Sequence, residues 1–244
     1  MNPTVNYDLT IIIPVYNEQD SFTALSDALL DYLSKATVKT CVLFVNDAST
    51  DHSLSLIRDF CMRERDVFYI SLERRNGVVG AIKAALKLIQ SPYTGYMDAD
   101  LQTFPSDFEK LLGRRFDSGI VLGVRDFKHE SFLYRTKKFL GYKLRNFVTR
   151  DYILDVTCPL KLGKTRLLQS LPWYDGMGNL MPALVQLTGH RVRTVEVRFQ
   201  KRRFGKSKRN HIWETSRFFC NLLAFIWIKK SFLDPAVGEN NLES

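Results

Sequence analysis

Asp8-Leu9-Thr10-Ile11-Ile12-Ile13-Pro14-Val15 is an apolar, β-branched run halted by a proline. Lys39 to Asn46 (KTCVLFVN) and Val67 to Leu72 (VFYISL) repeat its character. Runs of this kind, lacking polar alternation, read as strands buried on both faces in a parallel sheet. Between them, Gln19 to Leu33 and Ser53 to Met62 space their apolar residues by three and four, with Ser49, Thr50 and Asp51 offering an N-cap for the second segment. The resulting β-α-β-α-β order predicts an α/β fold, a mostly parallel doubly wound sheet with helices on both faces. The pattern continues with a helix near Val78 to Ile89, a strand Thr94 to Met97, a helix after Pro105 and a strand Ile120 to Val124. Ligands of such sheets gather at the carboxyl ends of the strands.

Beyond Arg125 the regularity loosens. Lys128 to Arg150 reads as a basic amphipathic helix, Met177 to Leu187 as another helix, Arg191 to Val197 as a strand, and 199–209 as a charged loop leading into an amphipathic helix from about His211 to Ser231. A tail over 234–244 is expected to be flexible, as polar termini usually are.

The chain has 244 residues, enough for one α/β domain with an appendage. With 45% hydrophobic and 25% charged residues it can bury a sizeable core, which excludes collagen-like, low-complexity and disulfide-scaffold classes. Cys41, Cys61, Cys158 and Cys220 show no metal-ligand spacing, and the patterns around Cys41 and Cys220 predict buried thiols in a reducing compartment. The first ten residues lack the basic and apolar regions of a signal peptide, so a cytoplasmic location is expected. The longest apolar run, Phe218 to Ile228, falls well short of the roughly 20 residues a helix needs to span a bilayer. Charge is divided unevenly: residues 1–122 carry 12 Lys and Arg against 16 Asp and Glu, and residues 123–244 carry 23 against 10. The second half therefore faces something anionic.

The chemistry concentrates at Met97-Asp98-Ala99-Asp100-Leu101-Gln102, two carboxylates one residue apart where an apolar strand ends. Hard oxygen ligands there suit Mg²⁺ or Mn²⁺ bridging a diphosphate, although the tripeptide alone also describes a solvated turn with a capping aspartate.

Four motifs in order carry a resemblance: Ile13-Pro14-Val15-Tyr16-Asn17-Glu18, Val45-Asn46-Asp47-Ala48-Ser49-Thr50-Asp51, Asn76-Gly77 with Gly80-Ala81, and Asp98-Ala99-Asp100-Leu101-Gln102. Together they resemble the family 2 glycosyltransferases of the GT-A fold. Arg202-Arg203-Phe204-Gly205-Lys206-Ser207-Lys208, entering an amphipathic helix, narrows the likeness to the polyprenyl-phosphate glycosyltransferases, the dolichyl-phosphate mannose synthase and undecaprenyl-phosphate sugar transferase group. The likeness covers about residues 8–230.

That resemblance implies an inverting, metal-dependent transfer from a GDP- or UDP-linked sugar to a polyprenyl (dolichyl or undecaprenyl) phosphate. It implies that Pro14, Tyr16, Glu18 and Asp47 line the nucleoside pocket. Asp98 and Asp100 would carry a divalent metal, with Gln102 completing its shell or holding the sugar phosphate and Ala99 between them in the donor site. Arg125 and Arg135 would face the acceptor phosphate or donor diphosphate, while Lys137, Lys138, Lys143 and Arg145 read as a solvated helix face. Arg202, Arg203 and Lys208 would belong to a loop that folds over the diphosphate. The sequence departs from the family at Asn46, where Asp is usual, and at Ala48, where Gly is usual; Asp155 matches an Asp-x-Thr turn only in part, since Pro159 replaces a Gly.

The expected layout is a catalytic domain over 1–210, with a nucleotide-sugar half at about 8–124 and an acceptor half at about 125–210, and an interfacial helix over 211–233. A hydroxyl acceptor would need a general base. The stretch before the acceptor helix, Trp173 to Gly178, offers the single carboxylate Asp175, which favours an acceptor that is already anionic. The partners expected are thus a nucleotide sugar, a polyprenyl phosphate and either the cytoplasmic face of a membrane or a small membrane subunit. A nucleic-acid or anionic-surface module would explain the basic half, but not the carboxylates at the strand ends, and no RNA-binding or zinc signature accompanies it.

Overall fold

The structure, a computed structural model, describes residues 3–126, 132–201 and 211–231. One seven-stranded sheet organises them in the order β3-β2-β1-β4-β6-β5-β7. Its strands are β1 (Leu9–Val15), β2 (Thr40–Asn46), β3 (Val67–Ser71), β4 (Tyr93–Tyr96), β5 (Ile120–Arg125), β6 (Lys161–Lys164) and β7 (Val192–Val197). The first four are mutually parallel, as the sequence predicts, and β5 and β7 are parallel to each other. Between β4 and β5 lies the antiparallel β6, which the sequence reading misses. Lys161-Leu-Gly-Lys has no β-branched residue and two lysines, so nothing in it signals a central strand.

Strand β1 shows why the apolar runs are continuous. Ile11 and Ile13 join a core with Phe22, Phe44 and Phe60 under α1 (Gln19–Leu33) and α2 (Ser53–Arg63). Ile12, from the same strand, joins a second core with Ile82 of α3 (Gly77–Leu86), Met181 and Phe225 on the opposite face. Alternate side chains go to opposite faces of a strand, so a strand covered on both sides must be apolar throughout. A short α4 (Phe108–Leu112) covers the first face.

The second half departs from expectation in detail. α5 spans Phe132–Thr149, and α6 (Thr165–Ser170), which the sequence reading does not anticipate, follows β6. The helix expected from Met177 begins as a 3-10 turn, Met177–Asn179, and continues as α7 (Met181–Leu187), with Pro182 in its first turn where a missing N–H costs nothing. α8 (His211–Ser231) buries Leu222 and Phe225 against the second core and exposes Phe219, Leu223 and Trp227 on the other side. One face of α8 is thus packed on the second core, while the opposite face is exposed. No described helix is long and apolar enough to cross a membrane.

Two expectations are corrected. Cys41 and Cys158 are buried, but Cys220 is exposed, because it lies on the outward face of α8. Arg145 is not part of a solvated face: its side chain is buried and its Nη2 donates to Asp151 Oδ1 at 2.8 Å and to the Ile153 carbonyl. Lys143, two residues earlier, is exposed as expected.

Candidate active site

The carboxyl ends of β1, β2 and β4 converge on a cleft of about 700 Å³. Three residues other than glycine hold left-handed backbone there, Asn17 (φ 53°), Ala48 (φ 57°) and Leu101 (φ 53°), one beyond each of these strands. Such conformations persist where surrounding contacts over-determine them and cluster at functional sites. The contacts are present. Asn17 Oδ1 accepts the Thr50 N–H at 2.8 Å, the Asn17 N–H donates to Ser49 Oγ at 3.1 Å, and the Glu18 N–H donates to Ser53 Oγ at 2.9 Å, so the turn after β1 is laced to the turn after β2. Ala48 occupies its left-handed position at a cost of about 1–2 kcal/mol, which glycine would avoid while losing about 0.5–1 kcal/mol in chain entropy. Ala48→Gly is expected to raise stability by about 0.5 kcal/mol; urea unfolding checks this, and a destabilisation would contradict it.

Asn46, fully buried, donates through Nδ2 to Ser71 Oγ at 2.9 Å and accepts the Ser49 N–H at 3.2 Å. It ties β2 to β3 and to the turn and does not line the cleft, which accounts structurally for the departure at this position. Asp47, one residue on, lines the cleft and is almost fully buried. Its Oδ1 accepts the Asn76 N–H at 2.7 Å and its Oδ2 the Gly77 N–H at 2.8 Å, so the carboxylate fastens the N-terminus of α3, where helix amides favour negative charge. Gly77 holds φ 72° there. Across from it, the Arg75 guanidinium stacks 3.9 Å from the centre of the Tyr16 ring. Pro14, Glu18 and Tyr16 line the same end of the cleft.

At the floor, Asp98, Ala99 and Asp100 follow β4 and line the cleft. Asp98 Oδ1 accepts the Tyr96 hydroxyl, and Asp100, 6% exposed, accepts the Gln102 N–H at 3.1 Å. Among the described residues no three Asp, Glu, His or Cys side chains form a closed metal cluster. Two carboxylates with the remaining positions open suit a hard cation that takes its other oxygens from a ligand and from water. Gln102 stands beside this pair without lining the cleft, and its carbonyl accepts the Gln200 N–H at 3.0 Å.

Arg125 closes β5 and is not among the residues that line the cleft. Its Nε and Nη2 each lie 2.8 Å from a different oxygen of the fully buried Asp155, and Nη2 also reaches Thr157 Oγ1 at 2.5 Å. This bidentate pair anchors the Val156-Thr157 wall of the cleft. Arg135 lies on α5, its side chain outside the described residues, as are Lys137 and Lys138. Arg202, Arg203 and Lys208 lie outside the described residues altogether. Gln200 also donates through Nε2 to the Leu101 carbonyl at 2.7 Å, which fastens Gln200 beside the carboxylate turn.

Sequence reasoning misses Lys161 and Tyr96. Lys161, at the start of β6, pairs with Tyr96 in register, is 8% exposed and lines the cleft. Burial pushes its ammonium below the ordinary lysine range, against the opposing pull of the Asp98 and Asp155 charges. No local signal was available, because nothing in Lys161-Leu-Gly-Lys marks it as a strand. At the far end, Asp175, Gly176 and Asn179 face Phe218 and Asn221 of α8. Asn221 Nδ2 donates to the Gly176 carbonyl at 3.2 Å, and a Cβ on Gly176 (φ 95°) would fall 2.3 Å from that nitrogen, so only glycine lets α8 seat there.

Residues 10–171 match the profile of Glycosyl transferase family 2. Among solved structures, glucosyl-3-phosphoglycerate synthase from Mycobacterium tuberculosis, in complex with phosphoglyceric acid, superposes with a TM-score of 0.66 at 13% identity over 98% of this chain and 85% of that one. The same enzyme with Mn²⁺, UDP and glucosyl-3-phosphoglycerate gives 0.67 at 14% identity, covering 96% and 84%. A mannosyltransferase from Pyrobaculum calidifontis in complex with GDP-mannose and Mn²⁺ gives 0.63 at 21% identity, covering 91% of this chain and 66% of that one.

Proposed function

The chain belongs to glycosyltransferase family 2, whose members use nucleotide sugars, and we propose that it moves a sugar from a GDP- or UDP-linked donor to the phosphate of a polyprenyl lipid, working peripherally at the cytoplasmic face of a membrane. The donor occupies the cleft. Tyr16 and Arg75 hold the base from one side, with Pro14, Glu18 and the turn fixed by Asp47 shaping the rest. Asp98 and Asp100, with Gln102 beside them, hold a divalent cation, Mg²⁺ or Mn²⁺, which neutralises the charge that grows on the diphosphate as the sugar departs. Arg202, Arg203 and Lys208, which follow Gln200 in the chain, add positive charge to the same diphosphate, and Arg135 adds it toward the acceptor. Arg125 acts as a positioning residue through Asp155. A phosphate acceptor is already an anion, so the acceptor side needs no strong base, in keeping with the single carboxylate Asp175.

The observation that carries the lipid acceptor is an apolar groove of about 880 Å³ beside the cleft, between α3, α6 and α8. Trp173 lines both cavities. α8 borders both as well, with Phe218 and Asn221 toward the cleft and Ala224, Trp227 and Ile228 toward the groove. Its outer face then exposes Phe219, Leu223 and Trp227, with Lys229 and Lys230 at its end, the composition of an interfacial helix meeting lipid phosphates. A groove that opens beside the donor and continues to an apolar surface suits an acceptor whose phosphate reacts while its chain stays in lipid.

Sedimentation with anionic vesicles tests this reading. Wild type is expected to sediment, and a Phe219→Ser, Leu223→Ser, Trp227→Ser variant to remain in the supernatant with its thermal unfolding little changed, since these side chains are 52%, 67% and 69% exposed. Wild type that stays in the supernatant would remove the membrane from the account.

A further inference from the structure

Lys161 is an uncommon object: a lysine on a central strand, nine-tenths buried, lining the cleft that also holds Asp98 and Asp100. One of its N–H groups goes to the Cys158 carbonyl, and its Nζ lies 5.7 Å from the centre of the Tyr96 ring, whose hydroxyl in turn holds Asp98. No other hydrogen-bond acceptor among the described residues takes its remaining donors. A buried ammonium is tolerated only where charges or ligands compensate it. Cys158, Asp98 and Asp155 act in favour of its charged form, with Arg125 against. Asp155 is already spent in the bidentate pair with Arg125. Asp98, the other carboxylate whose charge acts on Lys161, lines the cleft.

We propose that Lys161 is a diphosphate-binding residue that makes cation and nucleotide bind together: it opposes a divalent cation arriving alone at Asp98 and Asp100, and it takes a phosphate oxygen when cation and nucleoside diphosphate arrive as a pair. This rests on the reading of the cleft as a metal-dependent nucleotide-sugar site. The electrostatic logic is simple. A cation alone meets a buried positive charge lining the same cleft in a low dielectric, and a diphosphate alone meets two carboxylates. The pair brings roughly balancing charge to both, and the unspent N–H groups of Lys161 gain charge-assisted hydrogen bonds. Coupling of this kind commonly changes affinity by about 5- to 150-fold, and it is reciprocal.

Calorimetric titration of the full chain with Mn²⁺, UDP and GDP, each alone and in combination, tests it without reference to turnover. In wild type, saturating UDP or GDP is expected to tighten Mn²⁺ binding by about 10-fold or more. Lys161→Met, which keeps length and removes charge, is expected to bind Mn²⁺ alone more tightly and the nucleoside diphosphate at saturating Mn²⁺ about 10-fold more weakly. Lys161→Arg is expected to keep the wild-type pattern. Wild type showing Mn²⁺ affinity independent of nucleotide overturns the proposal even if Lys161→Met fails to fold. Folded Lys161→Met with both affinities unchanged overturns it while leaving the donor site standing. Wild type that binds neither Mn²⁺ nor a nucleoside diphosphate overturns the proposal and the reading of the cleft together.

Discussion

Asp100→Asn is expected to lose turnover by about 10³-fold or more, because a carboxylate facing a divalent cation contributes several kcal/mol to stabilising the departing diphosphate. The substitution is well suited to the question. Asp100 is buried at the floor of the cleft, and its Oδ1 accepts the Gln102 N–H; the amide oxygen of Asn can accept the same bond. The turn should therefore survive while the charge disappears. Nucleoside diphosphate release at saturating donor and Mn²⁺ measures the effect, with urea unfolding as the control for fold. A variant retaining more than about a tenth of wild-type turnover would separate Asp100 from the chemistry, as would wild type working unimpaired in excess chelator.

The second large effect is on stability. Arg145 and Asp151 form a pair with side chains 2% and 0% exposed, linking the end of α5 to the turn that follows. Asp151 Oδ1 also accepts the Ile153 N–H at 3.0 Å, whereas Asp151 Oδ2 and the Nε and Nη1 of Arg145 find no partner among the described residues. Removing one member strands the other as an uncompensated buried charge, so Arg145→Met is expected to cost about 3–5 kcal/mol in urea unfolding. Replacing both with apolar residues removes the stranded charge as well, and Arg145→Met with Asp151→Leu should recover most of that loss. A single variant within about 1 kcal/mol of wild type would show that the pair is solvated in solution.

What could be read from the sequence follows from how local each signal is. Strands β1, β2 and β3 fall within a residue of their expected bounds; β1 and β2 are covered on both faces and so run apolar throughout, whereas β3, at the sheet edge, leaves Tyr69 and Ser71 exposed. Pro14, Tyr16, Glu18, Asp47, Asp98, Ala99 and Asp100 all line one cleft because each lies just past, or at the end of, a parallel strand, and strand ends converge. What escaped is non-local. Arg125 and Asp155 lie 30 residues apart in the chain and meet only because β5 is brought beside the turn preceding β6. Arg145 sits among cations that read as one wet face, and its partner lies past the helix end, across the left-handed Arg150 at φ 55°. β6 has too few residues and too much charge to read as a strand, yet its antiparallel insertion puts Lys161 beside Asp98. Asp47 lines the cleft, but its two oxygens fasten the start of α3, a duty that depends on a turn some 30 residues later.

The measurement closest to the central claim is transfer of radiolabelled sugar from a panel of UDP- and GDP-sugars, with Mn²⁺, into the organic phase in the presence of undecaprenyl or dolichyl phosphate. Phosphoglycerate and oligosaccharides serve as the competing acceptors. The account predicts organic-phase label with at least one donor, abolished by chelator and by Asp100→Asn, and little label on the soluble acceptors. Label carried instead by phosphoglycerate or by a sugar hydroxyl, with none in the organic phase, would contradict it.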